Sequence, residues 1–586
     1  MRISVKLRMT LLSDAIFGSG FSIPGGEDIA VRRDGRGYPY LKGSTFKGLL
    51  RESVENLLVW TGGDQATLDA LFGTSGWTGK TSDRRLQFTD LTLEEPPEDP
   101  ENCFGSRTFT KLEEGVVQDG TLRQAACICS GLTFVGSLVC REEDLSLLRD
   151  GLRGVKYVGT SRSRGFGRVR LEAGETAPLG ASRQLGPAAC LELRLRTELP
   201  VLATDLGRSY GNGYETVGYL PGSALRGAVM TALSQQDPAW FEAHKQALLT
   251  EVQFLDALPD PAGLAALPAI RGFYEDKTGE TFETVVKNGD FAPGLKRAKL
   301  GSCCAIDGGT LRYWSARTGG VTRISRGRDG QDSLPFQVRY LEAGQDFRSC
   351  ILLQDPALAS AIARALPETI WLGADRYEGF GKCAVTALEA LEAPAWERAY
   401  GYGPTDPVGT RLYLLALSPF TMLDRLGEPC GLDLTALAQR LGVAKVELAY
   451  CSTALTACGG FNRTWGCREA SLRMYDRGSL FQLCCDAAPK AEALLALQRE
   501  GLGVRTAQGF GRILFLRTEL LEAITGKAAV EPAETDDGTR ALIAERPGPP
   551  TAGFRTTASG SAPAACPAAR SAQSREPVRR PWPGTT

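Results

Sequence analysis

A chain of 586 residues is too long for one hydrophobic core, and its length points to three or four domains. With 43% hydrophobic and 23% charged residues the balance is that of a globular protein, which excludes a fibrous or low-complexity chain. The net charge of −1 excludes a generally basic nucleic-acid coat, so any contact with nucleic acid must rest on local patches.

The first predicted element is a strand, Ile3 to Leu12, which alternates apolar and polar residues and does not read as a signal peptide. No run of 18 apolar residues suggests a membrane span, so no membrane contact and a cytoplasmic location are expected. The sixteen cysteines then read as reduced thiols. Cys430, Cys451, Cys458 and Cys467 lack the CxxC spacing of a zinc knuckle, and no metal ligands are assigned.

The strand is followed by the loop Gly25-Gly26-Glu27-Asp28 and then by Tyr38-Pro39-Tyr40-Leu41-Lys42-Gly43-Ser44-Thr45-Phe46-Lys47-Gly48. Ser44 is the expected N-cap of a helix through Leu58. Glu94, Glu95, Glu98, Asp99 and Glu101 sit in a proline-broken stretch that reads as a solvated loop. Next come a strand at Gly131-Leu132-Thr133-Phe134, an apolar helix, the tetrapeptide Gly165-Phe166-Gly167-Arg168 and a strand from Val169 to Leu171.

The same order returns twice. A second module opens with a strand at Cys190–Thr197 and repeats the helix start as Tyr219-Leu220-Pro221-Gly222-Ser223-Ala224-Leu225-Arg226-Gly227. It continues through Gly344 to Phe347 and reaches Gly379-Phe380-Gly381-Lys382 before the strand Cys383 to Leu388. A proline-bearing linker, residues 392–410, leads to a third strand at Arg411 to Ser418. That module keeps Gly478 to Phe481 and Gly509-Phe510-Gly511-Arg512 but lacks the helix-start motif. The distance from strand Phe to first loop glycine is 31, 32 and 28 residues, and such near-constant spacing marks a repeated module.

These landmarks set the expected domains at 1–180, 188–395 and 408–520. Strand–helix–strand units of this kind give an α+β fold of tandem ferredoxin-like, RNA-recognition-type domains. From 528 to 586 the chain is rich in Ala, Pro, Ser, Thr and Arg, the composition of a disordered tail.

The loops suggest a partner. Glycines let a ligand backbone approach, and consecutive amides in a turn form an anion-binding concavity. Arg153, Lys156, Arg162, Arg164, Arg168 and Arg170 add positive charge with no acid among them. Each loop phenylalanine is placed to stack on a base; the alternative is a tight turn whose Phe anchors the core. Lys42, Lys47, Arg51 and Arg226 flank helix starts, where free amides and the dipole favour a phosphate.

Together the GFGR/GFGK loops and the two [ILV]-x-G-S-x-[LF]-[KR]-G helix starts resemble the RAMP superfamily of CRISPR effector subunits, over nearly all of residues 1–520. Within it, Gly18, Gly20, Asp28-Ile29, Asp34, Gly37, Tyr38-Pro39-Tyr40-Leu41, Gly43 and Phe46 to Glu52 resemble the N-terminal pattern of the large type III-D protein. The resemblance implies a ribonucleoprotein subunit with CRISPR guide RNA, complementary target RNA and other effector subunits as partners. The implied RNA contacts are Lys42, Ser44, Lys47, Arg51, Arg162, Arg164, Gly165, Phe166, Gly167, Arg168, Ser223, Arg226, Gly379, Phe380, Gly381, Lys382, Gly509, Phe510, Gly511 and Arg512.

Guide-processing members use a histidine, and the single His244 lies in an amphipathic stretch without a motif partner. Target-cutting members use a loop aspartate with a divalent ion such as Mg2+. That makes Asp28, with Glu27 beside it, the candidate for a metal-dependent endoribonuclease site, the alternative being a loop acid that only caps or turns. A reading from a different class is a stand-alone multidomain RNA-binding protein.

Overall fold

The alternation of Ile3, Val5, Leu7, Met9 and Leu11 builds β1 (Arg2–Leu11), and in this computed structural model all five are buried while Lys6 and Arg8 face out. There follow α1 (Gly43–Thr61), α2 (Gln65–Phe72), β2 (Gln87–Phe88), β3 (Thr133–Arg141), α3 (Leu145–Gly154) and β4 (Val169–Pro178). β1 pairs antiparallel with β3 and β4, and β2 lies outside β3, giving the order β2-β3-β1-β4. Phe46, Leu50 and Val54 of α1 and Leu148 and Leu152 of α3 join the buried side chains of β1 in one core. The structure describes residues 2–18, 30–34, 36–73, 86–110, 112–113, 116–117, 123–178, 183–204, 213–278, 281–284, 294–325, 334–374, 380–462 and 467–530.

The second sheet repeats this order. Its elements are β5 (Cys190–Thr197), α4 (Gly222–Gln236), α5 (Pro238–Thr250), β6 (Val252–Phe254), the insertion hairpin β7 (Cys303–Asp307) and β8 (Thr310–Trp314), then β9 (Asp346–Leu353), α6 (Leu358–Ala365), β10 (Thr369–Trp371) and β11 (Lys382–Leu391). β5 lies between β9 and β11, with β6 outside β9. Its core is separate from the first, built on Leu191, Leu193, Leu195, Leu225, Val229 and Ile362.

The third repeat begins after α7 (Ala395–Tyr400) and holds β12 (Arg411–Ala416), α8 (Leu434–Leu441), β13 (Val446–Ser452), the hairpin β14 (Leu455–Asn462) and β15 (Cys467–Tyr475), β16 (Leu480–Cys485), α9 (Ala491–Glu500) and β17 (Ile513–Leu516). Its order is β13-β16-β12-β17. This sheet is covered on both faces. Leu412, Leu414 and Ala416 meet the core of α8 and α9, while Tyr413, Leu415 and Leu417 meet Leu267, Phe273, Cys304 and Leu311 of the second module's insertion. Double burial explains why β12 reads as a continuous apolar run instead of alternating.

Three expectations change. The helix start is not capped by Ser44: α1 begins at Gly43 with Lys42 in the cap position and no side-chain cap. The proline-bearing segment 392–410 is not an open linker, because α7 forms within it and Tyr400 and Tyr402 are buried. The folded chain also continues past 528, since β18 (Gly526–Ala529) pairs in parallel with β8. The rest of the expected tail lies outside the described residues. The fold is mixed α+β with mostly antiparallel sheets, and among the described residues no helix is long and apolar enough to cross a membrane.

Candidate nucleic-acid interface

The three glycine-rich loops share one backbone scheme. The second loop glycine donates its N–H to the turn after the module's first strand, Gly167 to Asp14 O at 2.7 Å, Gly381 to Pro200 O at 2.7 Å and Gly511 to Pro419 O at 3.0 Å. Its carbonyl accepts from Val158, Leu372 and Leu502, each at 2.8 Å. Gly165 and Gly509 donate to Arg162 O and Thr506 O. The amides expected to cradle an anion are therefore donated within the fold. A further glycine, Gly159, Gly373 and Gly503, stands six residues before each GFG with φ near +80°, where a Cβ would come within 2.4 Å of a backbone oxygen. Its constant spacing is visible in the sequence as G-x5-G-F-G.

The loop side chains diverge. Arg162, Arg164 and Arg168 are exposed; Arg162 lies 3.5 Å from Glu52 and Arg164 sits over the Phe109 ring, against which Phe166 also packs. Phe380 meets Tyr340 edge-on, and Lys382 pairs with Glu198 at 2.7 Å. Arg512 is 2% exposed: its guanidinium donates to Gln253 Oε1 at 2.5 Å, to Arg499 O at 3.1 Å and to Glu500 O at 2.7 Å. It caps the end of α9, and burial pushes its pKa down to about 10. This corrects the expectation of an RNA contact at Arg512. Gly379 lies outside the described residues.

The helix starts also differ from expectation. The first amide of α1 donates to Asp90 Oδ1 and that of α4 to Asp256 Oδ1, both at 2.7 Å, so a carboxylate occupies each position foreseen for a phosphate. Burial raises the Asp90 pKa. The matched basic residues point elsewhere. Lys47 donates to Phe72 O at 2.7 Å and Arg226 to Leu249 O at 3.1 Å, capping the ends of α2 and α5. Arg51 reaches Gly73 O at 2.6 Å and Asp69 at 3.3 Å. Burial lowers the Arg226 pKa.

What the fold does bring together is a cleft of about 570 Å³ between the second and third repeats. Its walls carry Tyr219 and Ser223 from the α4 start and Phe510 from the third loop, with Arg271, Arg297 and Arg477. Arg477 pairs with Asp256 at 2.5 Å and lies 3.3 Å over the Tyr219 ring; Arg271 pairs with Asp476 at 2.9 Å. Although burial alone would lower it, Tyr219, Asp256 and Asp476 raise the Arg477 pKa, so that guanidinium stays charged. Arg297 is exposed and makes no ion pair among the described residues. Gly459 and Gly460 of β14 leave a bare patch on the wall that Thr456, Ala457 and Cys458 also line. Cys303 also lines the cleft, its thiol pushed up to about 11 by burial and so unreactive near neutral pH.

Glu27 and Asp28 lie outside the described residues. Among the described residues no group of three or more His, Cys, Asp or Glu side chains could hold a metal ion, and Cys430, Cys451 and Cys467 are free thiols. His244 stacks on Trp240 at 4.2 Å and its Nδ1 contacts the Trp240 carbonyl, a helix-surface arrangement.

Residues 8–170, from β1 through the first loop into β4, match the model of the RAMP superfamily. No curated protein matches the chain. Among solved structures it is similar to a chain of the type III-B Cmr-beta complex bound to cognate target RNA, with 18% identity and a TM-score of 0.24 over 30% of this chain and 61% of that one. A chain of apo type III-B Cmr-beta is similar at 13% identity and a TM-score of 0.23, over 29% of this chain and 96% of that one.

Proposed function

We propose that this chain is a guide-RNA-binding structural subunit of a type III CRISPR effector ribonucleoprotein, of the type III-D kind its N-terminal pattern resembles. The observation that carries the reading is the RAMP match over residues 8–170. The motifs inside that match recur at the cleft, where Tyr219 and Ser223 belong to the second helix start and Phe510 to the third loop. The repeated order of four strands with helices in both crossovers supports reading the modules as tandem ferredoxin-like domains.

In this reading the cleft takes a short stretch of single-stranded guide. Arg297 meets a phosphate, Phe510 offers a face to a base, and the Gly459-Gly460 wall admits the sugar–phosphate backbone. The half-buried pairs Arg271–Asp476 and Arg477–Asp256 fix the walls and leave little free charge, so few phosphates are contacted. The test is guide binding by the full chain across a salt series. Arg297→Ala should weaken binding and reduce the log–log salt slope by roughly 0.7, the value for one phosphate of a single strand. Phe510→Ala should weaken binding with the slope unchanged. Wild-type affinity in both variants refutes the cleft as the RNA site.

A further inference from the structure

Three cysteines of the first module come together on one face of a strand pair. Phe104–Phe109 and Arg123–Ile128 run antiparallel, with Phe104 opposite Ile128 and Gly105 opposite Cys127. One step further along the same register Cys103 stands opposite Cys129, and the Cys129 amide donates to Cys103 O at 2.9 Å. Side chains two apart on a strand share a face, so positions 103 and 105 lie with 127 and 129. Gly105 shows where two of the sulfurs sit: a Cβ there would stand 3.5 Å from the Cys127 Sγ and 3.8 Å from the Cys129 Sγ. The absent side chain leaves this space to the thiols.

The register suits a bridge between Cys103 and Cys129. Opposed residues joined by an N–H···O bond in an antiparallel ladder have Cα atoms about 5.5 Å apart, within the roughly 4.4–6.8 Å that a disulfide spans. Cys127 faces a glycine across the ladder and so has no cross-strand thiol. The two members of the pair differ in access: Cys103 is buried, whereas Cys129 is half-buried and adjoins the exposed Ser130. Burial raises the Cys103 pKa, and the nearby Cys129 sulfur adds to the rise. Cys103 is thereby held as a neutral thiol, with Cys129 the member that solvent reaches.

A bond at this place acts on the first glycine-rich loop. Ile16, Ala125 and Cys127 form a buried cluster with Phe109 and with Phe166 of the loop. Directly after Cys129, the Ser130 amide donates to Asp14 Oδ1 at 3.0 Å, and Arg107 pairs with Asp14 at 2.5 Å. The Asp14 carbonyl in turn accepts from Gly167 of the loop. The base of the strand pair and the loop are therefore held through one residue.

We propose that Cys103 and Cys129 are a peroxide-sensitive thiol pair that closes to a disulfide and fastens the base of this strand pair beside the first loop. The Cys129 sulfur attacks hydrogen peroxide, the O–O bond breaks, and Cys129 becomes a sulfenic acid while one water leaves. The Cys103 sulfur then forms the S–S bond and displaces the Cys129 hydroxyl, which departs with the Cys103 proton as a second water. The two thiols give two electrons to the peroxide, and a dithiol reductant restores them. The inference is independent of the RNA reading.

The test treats the reduced full chain with hydrogen peroxide, unfolds it, alkylates the remaining thiols and maps the peptides by mass spectrometry. The expected product is a linked peptide pair joining Cys103 to Cys129, lighter by two hydrogens and lost on treatment with dithiothreitol, with Cys127 alkylated. Amide exchange across Phe104–Phe109 and Arg123–Ile128 should slow by roughly tenfold in the oxidised chain. Cys103→Ser should strand Cys129 as a sulfenic acid that dimedone traps, and Cys129→Ser should leave Cys103 open to alkylation after unfolding. The map of the unsubstituted chain decides even where a variant fails to fold. Full alkylation of both cysteines after peroxide, or a bridge through Cys127 or to a second chain, overturns the proposal.

Discussion

Gly509→Ala, compared with Gly165→Ala, isolates the joint between the second and third modules. Both glycines lie in the left-handed region, at φ +91° and +86°, so each alanine carries a backbone cost of about 1–2 kcal/mol. Only at Gly509 does the new methyl also meet backbone, 2.4 Å from Phe254 O, where neither partner is a flexible side-chain end. Overpacking of that kind adds about 1–3 kcal/mol. Amide hydrogen exchange across β6 and the residues up to Asp256 should therefore quicken by roughly thirtyfold in Gly509→Ala, the equivalent of about 2 kcal/mol. In Gly165→Ala the change should be confined to the first loop. Equal, local effects of the two variants would refute the packing of the third loop against the second module.

Other substitutions test particular assignments. Arg226→Ala and Lys47→Ala should each loosen the end of the helix they cap, α5 and α2, by about 1–2 kcal/mol in exchange measurements while guide affinity stays unchanged; a loss of affinity would restore the phosphate reading. Burial raises the Glu397 pKa against the smaller opposing pull of Arg499 and Gln498. Its ionisation therefore costs stability above its folded pKa and nothing below the ordinary 4.5. Glu397→Gln should accordingly raise the melting temperature at pH 8, with the gain shrinking as the pH falls towards 4.5, and a gain independent of pH would contradict this. The alternative reading of Asp28 as a nuclease residue requires that Asp28→Ala abolish a divalent-ion-dependent cut in target RNA without changing guide loading; cleavage unchanged by the substitution is the result the structural reading predicts.

The strands with one solvated face were legible because their period is two: Ile3 to Leu11 alternates and its partners follow. The three loops were legible as repeats, but their local sequence carries no record of which neighbour each one meets. Arg168 and Arg512 occupy the same place in GFGR, and both donate their amide to a serine hydroxyl, Ser13 and Ser418. One side chain is exposed and the other buried, because Arg512 folds back onto the end of α9 and onto Gln253 of the second module. The roles of Lys47 and Arg226 depend on carbonyls more than twenty residues away, which no helix-start motif contains. The insertion that covers the third sheet is built of strands of two to five residues around β7 and β8, too short for a periodicity to show. The cleft exists only once two modules are joined, so the sequence listed several of its residues without grouping them.

The most direct test of the central claim is photo-crosslinking of guide RNA in the assembled complex, with the modified peptides identified by mass spectrometry. The account predicts crosslinks on peptides containing Tyr219, Arg297 and Phe510. Crosslinks absent from all three and found instead on the first loop, around Arg162 to Arg168, would contradict it.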